Sequence, residues 1–228
     1  MKTHYGFILP IFLCISLLHL FSIAIHWPIG IYATKPLLLA ILAAWFYFKT
    51  KPIFKSFTWY FFFGLIFSLL GDIFLMFNGE IYFLLGLGSF LFAHLSYIST
   101  FLIYPHFNTG AIKQNPLYAI PFMLFLLLIL WFLWPHLGEM KIPVLIYSTV
   151  ITTMAVSAAN MKNRVSNQTY INILLGGVLF IISDMWLAVN KFHSTVLPEP
   201  WDHFIIMATY ISAQYLLTTG SEMANSKA

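Results

Sequence analysis

Charge is the scarcest property of this chain. Only 8% of its 228 residues are Asp, Glu, Lys or Arg, against about 25% in ordinary soluble domains. Cysteine is nearly absent too. The single Cys14 excludes an intramolecular disulfide and a cysteine-based metal knuckle, and it says nothing about redox compartment. There is no glycine-rich nucleotide loop. There is no serine nucleophile elbow either, for Ser68 and Ser183 lie beside acidic residues but not in a Gly-x-Ser-x-Gly turn. No low-complexity segment or long linker supports a separate soluble domain. The net charge of +4 comes from basic residues scattered through short loops. It does not form the basic stripe of a nucleic-acid binder.

What the chain has instead is apolar length. Hydrophobic residues make up 61% and aromatics 19%, and the mean hydropathy is +0.87. Eight apolar segments are predicted near 6–26, 32–49, 57–77, 82–104, 116–134, 142–160, 170–190 and 203–220. Each is about 18–22 residues long, enough to cross a core of roughly 30 Å. They are apolar all round rather than alternating, which favours helices over barrel strands. The expected fold is an all-α integral membrane protein, a single domain over 1–228 with eight transmembrane helices. The stretch Met1–Trp27 carries Lys2 but no small-residue cleavage site, so it reads as a retained first helix rather than a signal peptide.

With eight spans, one side holds Lys2, Lys49, Lys51, Lys55, Lys113, Lys162, Arg164 and Lys227, and the other holds Lys35, Lys141 and Lys191. The excess of positive charge predicts that both termini lie in the cytoplasm of a multi-pass cell-membrane protein. Glu80, Glu139, Glu199 and Asp202 then fall in outer loops and Glu222 in the tail. Only Asp72 and Asp184 remain inside spans.

Those two aspartates organise the sequence. Phe61–Asn78 and Ile173–Asn190 match at an offset of 112, pairing Gly64 with Gly176, Asp72 with Asp184, Leu75 with Leu187 and Asn78 with Asn190. A carboxylate in hydrocarbon costs roughly 2.5–3.5 kcal/mol even on a gentle insertion scale, and such residues mark function by default. Both are expected toward the outer leaflet, in the same layer as Lys35. Ser96–Ser99 and Thr209–Ser212 add a weaker match. Together these suggest two parallel four-helix halves, about 1–114 and 115–228, with a site between them.

Small residues on the aspartate stripes (Gly64, Ser68 and Gly71; Gly176 and Ser183) let helices approach and aim the carboxylates at the bundle axis. Two carboxylates in one pocket suit acid–base catalysis, one protonated and one ionised. They could equally carry protons in a transporter, or each merely hydrogen-bond a neighbouring helix. His94 lies mid-membrane, as an orienting or relaying group or a neutral structural histidine. Lys35, just before Pro36 at the expected start of the second helix, can pair with an aspartate, hold a phosphate or snorkel to the interface. Tyr147, Asn190, Tyr210 and Gln214 are the other polar groups on apolar spans, with inter-helix bonding the expected role of Gln214. A zinc site from Asp72, Asp184 and His94 lacks the sulfur and paired-histidine signatures of such sites. No metal and no cofactor is expected.

Five short runs carry a resemblance: Lys35-Pro36-Leu37, Ser68-x-x-Gly71-Asp72-x-x-Leu75, His94-x-x-Tyr97, Gly177-x-x-Phe180-x-x-Ser183-Asp184 and Tyr210-x-x-x-Gln214-Tyr215. In their order and number the chain resembles the YhhN-like lysoplasmalogenases, small polytopic membrane proteins, over most of its length. The resemblance implies hydrolysis of the vinyl-ether bond of a lysoplasmalogen, a membrane lysophospholipid, to a fatty aldehyde and glycerophosphoethanolamine or -choline. Asp72 and Asp184 are then the catalytic pair. Lys35, Ser68, His94, Tyr147, Ser183, Asn190 and Tyr210 are the substrate-binding or supporting residues. The alternative class is a proton-coupled transporter of a lipid or small molecule using the same aspartates.

Overall fold

Prolines and glycines punctuate the apolar runs, and several of the helices start on or just after one. The structure, a computed structural model, describes residues 7–51, 55–194 and 196–227. Lys2 and the first residue of the first expected span, Gly6, lie outside the described residues. The helices are α1 (Ile8–Ala24), α2 (Pro28–Thr50), α3 (Ser56–Phe74), α4 (Glu80–Ile103), the single turn α5 (Ala111–Gln114), α6 (Ile120–Leu133), α7 (Lys141–Ala159), α8 (Asn167–Phe192) and α9 (Trp201–Lys227). Pro28 occupies the first turn of α2, where its missing N–H costs nothing. Gly79, at φ +121°, opens α4 in a backbone region that L-residues avoid. Among the described residues there is no strand.

Six helices are long and apolar enough to cross a membrane: Pro28–Thr50, Ser56–Phe74, Glu80–Ile103, Pro116–His136, Gly138–Ala159 and Asn167–Phe192. This is a multi-pass membrane architecture. The other two expected spans are also helical. Ile8–Ala24 is apolar but shorter, at 17 residues. α9 is longer but more polar, because it buries Tyr210, Gln214, Thr218, Ser221 and Asn225 inside the bundle. Hydropathy undercounts a helix whose polar groups face protein. α6 is the opposite case: Leu124, Leu127, Leu128 and Trp131 are all at least 60% exposed, an apolar face with only lipid to suit it.

The most extensive helix pairs are α3 with α4 and α8 with α9. Glycines set those approaches. A Cβ on Gly71 would meet the Phe90 ring at 2.6 Å, and one on Gly176 would meet Leu217 N at 2.9 Å and Ala213 O at 3.0 Å. The buried core runs from Phe12 through Phe46, Phe61, Tyr97 and Phe180 to Leu217.

Three expectations are corrected. Lys35 does not stand at a helix start. α2 begins at Pro28, so Lys35 sits two turns in and Pro36 is inside the helix. Asp202 is not a solvated loop residue. It is 1% exposed and clips the turn before α9, accepting from Trp186 Nε1 at 2.9 Å and Leu197 N at 3.1 Å. The 112-residue correspondence also breaks just past the aspartates. α3 ends at Phe74, leaving Asn78 exposed in the turn, whereas α8 runs on to Phe192 and keeps Asn190 helical.

Candidate active site

The two aspartates, 112 residues apart in sequence, line one cavity of about 120 Å³ inside the bundle. Lys35, Tyr147, Ser183 and Tyr210 line it with them. The remaining wall is mostly apolar, from Phe90, Leu126, Leu133, Val144, Ile181 and their neighbours.

Asp72, only 2% exposed, sits on the last turns of α3. Its Oδ2 accepts the Tyr210 hydroxyl at 2.7 Å, and its Oδ1 lies 3.9 Å from Lys35 Nζ. The Pro28 start of α2 puts Lys35 deep enough for that pairing. Behind Tyr210 runs a buried chain. The Gln214 amide donates to the Tyr210 hydroxyl at 3.4 Å, and Tyr97 donates to Gln214 Oε1 at 2.9 Å. Since the one Tyr97 proton is spent there, the Ser68 hydroxyl, at 3.4 Å, donates to Tyr97. Every donor in this chain points toward Asp72.

Asp184, on α8, has its own tyrosine. Tyr147 of α7 donates to Asp184 Oδ2 in a short hydrogen bond. His94 Nε2 lies 3.1 Å from the Tyr147 hydroxyl and 3.6 Å from Asp184 Oδ2. With the Tyr147 proton directed at the carboxylate, His94 Nε2 is the donor to Tyr147. Its Nδ1 is buried without a partner. The two carboxylates therefore share a plan: each accepts from a tyrosine, and each tyrosine is oriented by a buried polar side chain behind it.

The structure brings together Lys35, Asp72, Tyr147, Ser183, Asp184 and Tyr210 on the cavity wall. Ser68 and His94 stand behind it, Ser68 bonded to Tyr97 and His94 to Tyr147, with His94 Nε2 also 3.6 Å from Asp184 Oδ2. The Ser183 hydroxyl faces α9 and donates to Ile206 O at 3.0 Å. Asn190 is outside the lining, a turn and a half beyond Asp184, with a buried, unpartnered Oδ1. Helix spacing explains that outcome, since positions i and i+6 diverge around the axis. Tyr97 was not among the residues expected to support the site, although a polar hydroxyl on the His94 helix was the available signal. Among the described residues no three His, Cys, Asp or Glu side chains converge as a metal-binding set.

A bundle of membrane-spanning helices around a largely apolar cavity that holds two carboxylates defines a class, a multi-pass membrane protein with an internal cavity. Within it, the chain belongs to the YhhN family, whose model matches residues 30–221 and so includes both aspartates, Lys35, Tyr147 and Tyr210. It is 32% identical over 164 residues to a Bos taurus protein named lysoplasmalogenase TMEM86A, covering 68% of this chain and 62% of that one. To a Mycobacterium tuberculosis protein named lysoplasmalogenase it is 30% identical over 146 residues, 60% of this chain and 50% of the other. A Mus musculus protein named lysoplasmalogenase TMEM86B is 28% identical over 212 residues, 91% and 83% of the two chains. The chain thus spans 62% of the length of the bovine relative. No solved structure matches it.

Proposed function

We propose that this protein is a membrane hydrolase of the lysoplasmalogenase type, cleaving the vinyl-ether bond of a lysophospholipid by the joint action of Asp72 and Asp184. The observation that carries the reading is the convergence of both carboxylates on one largely apolar cavity with Lys35 at its edge. The apolar wall suits an alkenyl chain, and the ammonium suits a phosphate. The names of the bovine, mycobacterial and murine relatives support the same chemistry.

The reaction consumes one water. The protonated member of the pair delivers its proton to the β-carbon of the enol ether, generating an oxocarbenium ion. The ionised member stabilises that cation and removes a proton from the water that adds to it. The hemiacetal then collapses, the glycerol oxygen leaving with a proton and the aldehyde remaining on the chain. Tyr210 and Tyr147 hold the two carboxylates in place throughout. Eight crossings with both termini cytoplasmic, in two four-helix halves, complete the proposed arrangement. The lysine and arginine distribution supports the orientation. For the transporter alternative, neither α3 nor α8 is broken by proline, so a half-helix ion site of the usual transporter kind has no support here.

The test is aldehyde release from lysoplasmenylethanolamine by purified protein in detergent. Wild type is expected to turn over. Asp72→Asn and Asp184→Asn are each expected to lose about 10²–10⁴-fold in kcat while keeping the same thermal midpoint. Well-folded wild type without aldehyde release overturns the proposal.

A further inference from the structure

A second cavity, of about 220 Å³, opens on the other side of Lys35. It lies between α1, α2 and the start of α9. Its lining is richer in ionisable side chains than that of the aspartate chamber, with His19, His26, Lys35, Glu199 and His203 around it. Lys35 and Met207 line both cavities, so these two side chains form the wall the cavities share.

His19 gives this chamber a defined chemistry. It is completely buried. Its Nδ1 lies 2.7 Å from Thr34 Oγ1, and that hydroxyl donates to Gly30 O at 2.6 Å. A hydroxyl has one proton, so Nδ1 must be the donor to Thr34, and the neutral ring is held as the Nδ1–H tautomer. Nε2 is then a bare lone pair, buried with no partner. An unsatisfied buried acceptor is costly, and an explanation is a ligand that donates to it. At the chamber mouth Glu199 Oε1 stands 4.0 Å from His203 Nε2, both side chains more than 60% exposed. Glu199 is available there to a cation.

We propose that the second cavity is a headgroup subsite for a glycerophospho-amine, and that His19 Nε2 reads a free glycerol hydroxyl. Resting on the proposed lysolipid chemistry of the neighbouring chamber, the order of groups is fixed. The vinyl ether lies between the aspartates and the phosphate diester beside Lys35. The adjacent sn-2 hydroxyl donates to His19 Nε2, and the ammonium lies at Glu199 in the mouth. A diacyl lipid carries an ester at sn-2 and has no proton to give. His19 thereby selects the lyso form, since a partner lacking the donor leaves the buried nitrogen unsatisfied.

Binding tests this separately from turnover. The probes are lysophosphatidylethanolamine, which has an ester in place of the vinyl ether, its sn-2-deoxy analogue, and free glycerophosphoethanolamine as competitor. His19→Asn keeps an amide N–H near the Nδ1 position, so the bond to Thr34 is retained while Nε2 is removed. In wild type the deoxy analogue is expected to bind about tenfold more weakly than the parent. His19→Asn is expected to lose about tenfold for the parent and to leave the deoxy analogue where it was. Glu199→Gln, at an exposed position, weakens the parent severalfold in a salt-sensitive way. Millimolar glycerophosphoethanolamine displaces the parent from wild type, which places the recognition in the head and not the chain. Equal losses for parent and deoxy analogue, or failure of glycerophosphoethanolamine to compete, overturn the subsite. If the coupling holds but wild type releases no aldehyde from a vinyl-ether lipid, the subsite stands and the hydrolase reading falls. If aldehyde is released without the coupling, the reverse is true.

Discussion

Each carboxylate in the chamber is held by a tyrosine hydroxyl, and each tyrosine by a polar group behind it. That nesting predicts a gradient of effects. Tyr210→Phe removes the direct donor to Asp72 Oδ2 and leaves the Gln214 amide unpaired. A hydrogen bond to a charged group is worth about 1.5–3 kcal/mol, so kcat/KM for aldehyde release should fall roughly 10–100-fold. Tyr97→Phe acts two bonds further out, through Gln214 and Tyr210, and should cost less than about tenfold. Steady-state kinetics on the two variants checks the order, and a larger loss in Tyr97→Phe would contradict it. Tyr147→Phe is the matching variant on the Asp184 arm. That two aspartates mattered was readable from sequence, because a carboxylate inside an apolar span is energetically conspicuous. Which tyrosine serves which aspartate was not, because the Tyr210–Asp72 bond joins residues 138 apart and depends on how α9 is rotated against α3.

At the scale of the helix, close approach decides where the carboxylates end up. Gly176 lies against the α9 backbone, where an added Cβ would come within 3.0 Å of Ala213 O and 2.9 Å of Leu217 N. Backbone cannot rotate away as a side chain can. Gly176→Ala should therefore push α8 from α9, lower the thermal midpoint and reduce turnover together. Gly88, on α4, has nothing within 4 Å of its would-be Cβ. Gly88→Ala removes only the glycine penalty of a helix interior, and should stabilise by about 0.5–1 kcal/mol. Opposite signs in detergent melts of the two variants are the expected result; equal shifts would refute the packing argument. The apolar runs made all of these helices legible, and the small-residue stripes correctly marked Gly64, Gly71 and Gly176 as contact positions. The start of α2 was misplaced. Pro36 looked like a helix opener, but the apolar stretch before it continues the helix back to a better-placed proline, Pro28.

For the whole molecule, the largest apolar surfaces face outward. Leu17 at 69%, Ile29 at 74%, Leu128 at 60% and Trp131 at 78% exposed turn most of their surface away from the protein, which suits lipid. The proposed orientation makes a direct prediction. In a Cys14→Ser background, single cysteines at the exposed Asn108 and Glu139 should react differently with an impermeant maleimide in intact cells. Glu139→Cys is expected to label and Asn108→Cys only after lysis. The reverse pattern would invert the topology.

By itself the sequence determined that this is a helical membrane protein and that Asp72 and Asp184 are its unusual residues. Both conclusions rest on local free energies, namely the burial of apolar runs and the penalty for a carboxylate among them. Only the tertiary structure decided that the two aspartates share a chamber, that Lys35 stands between that chamber and a second cavity, and that His19 lines the latter with its Nε2 buried and unpartnered. Those facts depend on helix rotation and depth, which are set by contacts between residues far apart in the chain and leave no periodic trace along it.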